Sequence, residues 1–371
     1  MTYLHGCNYP WSFDGSTTFY GLDFGASVWG SHRGVSTRRS AVARDFGEMA
    51  ALGFTVARWF LFCDGRAGIV YDDVGMPLGP DPLLFADLDA AIELARDAGI
   101  RIDVVLLDHH WMFSGVRHAV ADPTTGVLLE ARLPEGRADV LLSDAGRDGL
   151  FDGVIGPLVR RYGPGGARAD LGAAILAYEL MNEPDFVIDE WERDLSSRVR
   201  RPLPFEVMVD LVSRLSRLVH AEHPGVLTTL GCARIHNLWA WDDDALGLDV
   251  LQVHSYPDVR HPEREADIFG VPASGLGVRR SVILGEFPCN GPEQHPDGAT
   301  PPSTTLDEYL DFAVSGGYLG GWPWSFSGTD AYGRVPVEPL RRFAARHPDL
   351  VNPRARHADG PRRHGDTESW S

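Results

Sequence analysis

The sequence predicts an α/β fold: a single-domain (β/α)₈ TIM barrel with long loops after strands one and three. Three observations lead there. A chain of 371 residues fits one α/β barrel with extended loops. Short apolar runs alternate with longer amphipathic stretches, the pattern of βαβ units and a parallel sheet. The runs number eight, enough to close a barrel: Tyr3–Asn8, Thr55–Phe60, Arg101–Leu107, Ala174–Leu180, Leu227–Leu230, Asp249–Val253, Ser281–Leu284 and Tyr318–Trp322. Their continuous apolar character suits strands buried on both faces.

The stretches between them have helical spacing. Val42, Phe46, Met49 and Leu52 recur on one face after a polar start at Thr37. Leu84, Leu88, Ile92 and Ala95 do so before Gly99, and Phe205, Val209, Val212, Leu215 and Val219 follow Pro204. These stripes are core-facing. Two connections are long, from about residue 10 to 36 and from about 108 to 147. Both leave the C-terminal ends of strands, where barrel loops shape a site. Residues 1–351 are assigned to the barrel. Residues 352–371, rich in Arg, His, Gly and Asp without apolar period, are expected to be a disordered tail.

A formal charge of −18 argues against nucleic acid or an anionic membrane as partner, because both demand a basic face. It suits a neutral ligand such as a sugar. The chain has no lysine, which coding bias explains more simply than function. Cys7, Cys63, Cys232 and Cys289 are scattered without zinc or C-x-x-C spacing and read as buried free thiols. The N-terminus lacks the basic and apolar regions of a signal peptide, and no apolar run approaches the ~20 residues of a bilayer span. The expected location is the cytoplasm, or outside the cell if a leader precedes this sequence. Oligomeric state is not legible.

Chemistry-bearing residues cluster at the C-terminal ends of the predicted strands. Asn182-Glu183-Pro184 terminates the fourth, and Glu286 terminates the seventh. Two such carboxylates can face each other across a barrel mouth. A separation of about 5–5.5 Å suits a retaining glycosidase and about 6.5–9.5 Å an inverting one. A lone strand-end Glu is more often an ordinary salt-bridged residue, and an Arg such as Arg58 is often a structural ion pair. Their co-occurrence in order is what carries weight.

That ordered set resembles glycoside hydrolase clan A, and most closely its family 5, which includes cellulases and mannanases. The landmarks are Arg58 in VARWF, His109-His110 in LLDHHW, Asn182-Glu183-Pro184, His254 and Tyr256 in LQVHSYPD, Glu286 in ILGEF and Trp324 in GGWPWSF. The resemblance spans nearly the whole chain apart from the tail. It implies that Glu183 is the acid/base, protonated at rest, and Glu286 the ionised nucleophile. Arg58 and Tyr256 would then bind the nucleophile, His254 would lie near the acid/base, and Asn182 would hold the sugar 2-hydroxyl. Trp324 would floor the sugar subsite. His109 is preferred to His110 for the strand-three position, and Trp324 to Trp322, although alternation points both tryptophans the same way. Trp11, Trp29 and Trp111 lie in mouth loops, where they either stack on sugar or pack within the loops.

The implied substrate is an oligosaccharide with β-linked gluco- or manno-configured units, attacked from an end or as a short chain, with no cofactor or metal. Two other readings are a carbohydrate-binding barrel that has lost catalysis and a metal-dependent hydrolase using Asp108, His109, His110 and His254. Retention of both carboxylates with Arg58 and Tyr256 opposes the first. The first strand reads LHGCNYPW, without the H-x-H pair such metal barrels usually carry, which opposes the second.

Overall fold

The computed structural model describes residues 2–12, 22–26, 32–112, 137–189, 191, 201–257, 268–289, 305–328 and 332–357, together with the strand backbones 118–121 and 128–131. Eight parallel strands close into a barrel. They are β1 (Leu4–Asn8), β2 (Val56–Phe60), β3 (Arg101–Val105), β4 (Ile175–Asn182), β5 (Leu227–Cys232), β6 (Leu251–His254), β7 (Val282–Pro288) and β8 (Gly320–Trp324). Neighbours in sequence are neighbours in space, and β8 closes against β1.

Each expected strand is present. β4, β7 and β8 run past their expected ends, so Asn182, Glu286 and Trp324 lie within strands. Register shifts in the β4–β5, β6–β7 and β7–β8 ladders accompany these extensions. Such irregularities re-aim side chains at a barrel rim.

The interior is layered, as alternation along tilted strands requires. At the bottom, Val56, Ala177, Val250, Ile283 and Trp322 form an apolar plug. Gly6 leaves room for it, since a Cβ there would meet the Trp322 ring at 2.4 Å. Above the plug the layer turns polar: Asn8, Arg58, Asp103, Glu179 and Gln252 are all fully buried. Phe60, Val105, Trp11 and Trp324 cluster above that, at the mouth.

Outside the barrel, α1 (Arg39–Ala51) and α2 (Leu84–Ala98) bury the expected stripes, including Val42, Phe46, Met49, Leu88 and Ile92. Gly99 ends α2 at φ 73°, a left-handed conformation open to glycine without steric cost. After β3 the chain forms α3 (Arg137–Leu142), α4 (Asp144–Leu150), a π-turn and α5 (Gly156–Tyr162). α6 (Phe205–Glu222) buries Met208, Leu211, Val212, Leu215 and Val219, so its core stripe is rotated from the expected one and leaves Phe205 and Val209 half-buried. α7 (Leu306–Ser315) starts with a Thr305–Glu308 capping box, and α8 (Val337–Arg346) completes the ring. Among the described residues, only 3₁₀ turns follow β5 and β6, at Ile235–Trp241 and Asp244–Leu246 after the one and Ala273–Leu276 after the other.

Two hairpins were not anticipated. One pairs Ile69–Tyr71 with Pro77–Pro80 after β2, and the other pairs His118–Ala121 with Leu128–Ala131 after β3. The described part of the β1 loop is pinned by buried carboxylates. Asp23 accepts from Ser12, Arg38 and Trp59, and Asp87 from Gly25 and Ser36.

The expected start of the tail needs correction. Asn352 donates to the carbonyls of Phe54 and Ala98, and Pro353–His357 forms a 3₁₀ turn. These residues belong to the barrel because they satisfy loop carbonyls at its N-terminal face. Residues 358–371 lie outside the described residues. All four cysteines are free and buried. Among the described residues no helix is long and apolar enough to cross a membrane.

Candidate active site

A cavity of about 340 Å³ opens at the C-terminal mouth, lined by both Glu183 and Glu286. A larger groove of about 520 Å³ lies between α1 and α8, but its lining is mostly Ala, Leu, Val and Pro, with no convergent polar set. Chemistry therefore points to the mouth.

Glu286 projects from β7 against Arg58 on β2. The Arg58 guanidinium donates to Glu286 Oε1, and Tyr256 OH donates 2.8 Å to Glu286 Oε2. Burial raises the Glu286 pKa above the usual range, while His254, Arg58 and the Tyr256 hydrogen bond oppose that rise. Burial, with Glu286 adjacent, pushes the Tyr256 phenol well up, so it remains a donor.

Glu183 follows the last residue of β4 at φ 48°, ψ 51°, a left-handed conformation unusual for a side-chain-bearing residue. Pro184 disfavours the right-handed helical region for the residue before it. The Glu183 amide still donates 2.7 Å to the Gly231 carbonyl, so the turn is anchored to β5. Burial and nearby Asp108 raise the Glu183 pKa to about 8, against the opposing pull of Arg234 and Arg58.

His254 on β6 lies between the two acids. Its Nδ1 is 3.0 Å from Glu183 Oε1 and 3.5 Å from Glu286 Oε1. Burial lowers its pKa, against the opposing pull of Glu286. One carboxylate oxygen of Glu183, one of Glu286 and a His254 ring nitrogen all lie within 4.8 Å of one another.

Asn182 is held from two sides. Its Oδ1 accepts from Arg58 Nη2 at 2.6 Å, and its Nδ2 donates to Asp108 Oδ2 at 2.7 Å. These partners fix the amide orientation and leave one hydrogen and one lone pair for a ligand. The His109 and His110 rings lie with centroids 4.1 Å apart at a tilt of 34°, and both line the cavity. His109 Nδ1 is 3.7 Å from Glu183 Oε2, and burial lowers its pKa to about 3. His110 pairs with Asp108 through both its amide and its ring.

The aromatic wall combines Trp11, Phe60 and Trp324. Trp324 meets Trp11 at 6.1 Å and Phe60 at 6.1 Å, both edge to face. Trp322 points the same way as Trp324 but one layer lower, where its Nε1 donates to the Leu4 carbonyl. It cannot reach the cavity. Trp111 is a correction: it is fully buried and absent from the cavity lining. The 3₁₀ turn at His109–Met112 places it in the core, where its ring would touch a Cβ at Gly65. Trp29 lies outside the described residues.

The metal set considered from sequence does not assemble round one point. Asp108, His109 and His110 form one group, whereas His254 groups with Glu183 and Glu286. Both Asp108 oxygens already accept hydrogen bonds.

Sequence reasoning missed Phe186, Arg234 and Tyr332, which also line the cavity. Arg234 lies 4.8 Å over the Phe186 ring, just past β5. Its position directly after an apolar strand was the available signal. Glu179, a charge inside the otherwise apolar run AILAYEL, was a stronger one.

No protein-family model matches the chain. It is 26% identical over 236 residues to mannan endo-1,4-beta-mannosidase 1 of Oryza sativa subsp. japonica, a match covering 60% of this chain. The chain spans about half the length of that relative, 51%. Among solved structures, the β-mannanase of the blue mussel Mytilus edulis superposes with TM-score 0.69 at 19% identity, covering 93% of this chain and 91% of that one. The endo-1,4-β-mannanase of Eisenia fetida gives TM-score 0.67 at 18% identity, with 95% and 91% covered. The barrel they share is the fold that the resemblance to glycoside hydrolase clan A implied.

Proposed function

We propose that this chain is a retaining β-glycoside hydrolase acting on β-mannosidic linkages in short oligosaccharides. One observation carries the retaining assignment: oxygens of Glu183 and Glu286 lie within 4.8 Å of each other across the mouth. That spacing suits direct attack by one carboxylate, because an inverting pair needs room for a water between them. The names of the similar mannanases support the mannose assignment. The long connections after β1 and β3, which leave the strands at this face, support a site for short chains.

In the proposed reaction Glu286 Oε attacks the anomeric carbon while Glu183 delivers its proton to the departing glycosidic oxygen. The C–O bond breaks, the leaving sugar departs as an alcohol, and a glycosyl ester forms on Glu286. Glu183, now a carboxylate, takes a proton from water, whose oxygen attacks the anomeric carbon and releases Glu286. Arg58 and Tyr256 hold the nucleophile ionised. Asn182 offers its free amide positions to the sugar 2-hydroxyl, and Trp324 and Trp11 supply apolar surface for the ring.

The test is proton NMR of the first product formed from an aryl β-mannoside, alongside a manno-oligosaccharide ladder. The expected first product is β-mannose, accompanied by cleavage of short oligomers with no chelator sensitivity. An α-anomer would overturn the retaining mechanism. Random internal cleavage of long polymers would overturn the preference for short chains, and loss of activity on chelation would revive the metal reading.

A further inference from the structure

The polar layer beneath the mouth contains more charge than the proposed reaction uses. Arg58 has five N–H donors, and all are engaged. Nε and Nη2 each donate 2.6 Å to the two oxygens of Glu179, a bidentate pairing. The other Nη2 hydrogen reaches Asn182, while Nη1 donates to Asn8 at 2.9 Å and to Glu286. Glu179 therefore sets the guanidinium plane, and that plane aims the remaining donors at the nucleophile and at the residue assigned to the 2-hydroxyl.

Glu179 has its own neighbours. Gln252 Nε2 donates 3.0 Å to Glu179 Oε2 and 2.9 Å to Asp103 Oδ2, so one amide spans two fully buried carboxyl groups. Two glycines make the space. A Cβ on Gly231 would meet Glu179 at 2.5 Å, and one on Gly285 would meet Gln252 at 2.4 Å. The charged and titratable groups facing this layer are Arg58 from β2, Asp103 from β3, His254 from β6 and Glu286 from β7. Only Arg58 is a permanent cation. Two ionised carboxylates at this depth, with Glu286 above, would leave the layer with excess negative charge and no solvent to screen it.

We propose that Glu179 positions Arg58 against the nucleophile, and that Asp103 carries a proton so that the interior layer holds a single negative charge. The proposal rests on Glu286 being the nucleophile. Burial and adjacent Glu179 also push the Asp103 pKa well up, in agreement with a neutral acid. Glu179 shares the Arg58 charge with Glu286. Without it, Arg58 would over-stabilise the nucleophile as a bystander anion and lose its fixed plane.

The experiment compares pH profiles of wild type, Asp103→Asn, and Glu179→Gln combined with Asp103→Asn, on an aryl β-mannoside with a good leaving group. Asp103→Asn replaces a neutral acid by a neutral amide. Its kcat should stay within about threefold of wild type and its acid limb should not move. The double variant should lose about 100-fold in kcat with KM changed less than about threefold, and its acid limb should fall by about one pH unit. A double variant matching wild type in kcat and acid limb overturns the proposal, as does an acid limb displaced equally by Asp103→Asn. Should the double variant fail to fold, Glu179→Gln alone is read, and undiminished kcat overturns the positioning role. Independently of activity, the wild-type minus Asp103→Asn infrared difference at pH 7 should contain the band of a protonated carboxyl; a carboxylate band instead overturns the single-charge layer. A wild type inactive on every glycoside would defeat the hydrolase reading, while the infrared result would still decide the proton on Asp103.

Discussion

The ends of β4 and β7 each present a glutamate to the same cavity, yet they build opposite environments. At β7, Glu286 lies within an extended strand and receives Arg58 and Tyr256. At β4, Glu183 sits on a left-handed backbone beyond the strand, with His254 beside it and Asp108 nearby. Burial acts on both. Among the described residues Glu286 has the Arg58 guanidinium in contact, and in the proposed mechanism that contact distinguishes the nucleophile from the acid. The lesson is that identical side chains acquire different electrostatic surroundings from the partners that neighbouring strands supply.

The largest way to break this contrast is Glu286→Gln. It removes the oxygen proposed to attack while leaving Arg58 a polar partner, and kcat should fall by about 10⁴-fold or more on every substrate. Steady-state kinetics on an aryl β-mannoside read this directly, and a loss below tenfold would shift the nucleophile elsewhere. Glu183→Gln tests the other end. Activity should fall by about 10²–10⁴-fold on substrates needing a protonated leaving group, and formation of the glycosyl ester should suffer much less when the leaving group is already acidic. In the proposed mechanism activity needs protonated Glu183, so it should be lost as pH rises through about 8. That basic limb should vanish in Glu183→Gln.

Tyr256→Phe sharpens the comparison more gently. Loss of one hydrogen bond to Glu286 should raise the nucleophile pKa, moving the acid limb upward, with kcat/KM reduced about tenfold. An unmoved limb would show that Arg58 and His254 hold the charge without Tyr256. The smallest effect concerns stability. Glu183 has a folded pKa of about 8 against an ordinary 4.5, so the folded state retains a proton that the unfolded chain releases in that window. Stability is therefore lost as pH rises from about 4.5 to about 8. Glu183→Gln removes that slope and should be more stable than wild type above pH 8, by on the order of 3 kcal/mol. Denaturant melts at pH 5 and pH 8.5 check this, and an equal difference at both would refute it.

Much of the fold was legible because its signal is local. Eight apolar runs are what strands buried on two faces require, and the stripes on α1 and α2 follow from the turn of a helix. The stripe on α6 was displaced because Met208 and Leu211 compete with Phe205 and Val209 for the core, a contest settled by the sheet beneath. The hairpin after β2 escaped notice because Ile69–Tyr71 is short, and Pro77 and Pro80 mask its partner. Trp111 shows the limit for site residues: position in a mouth loop does not determine which way a 3₁₀ turn faces.

Returning to the two glutamates, the sequence by itself determined which strands carry them and which residue types accompany them. Those are properties of order along a chain, and a parallel barrel converts order directly into position around a ring. Only the tertiary structure decided how those groups meet. Arg58, Glu179, Asn182 and Glu286 come from three strands far apart in sequence, yet one guanidinium joins them. Its donors can be shared among them only in three dimensions, because hydrogen-bond geometry and burial depend on distances that sequence separation does not encode.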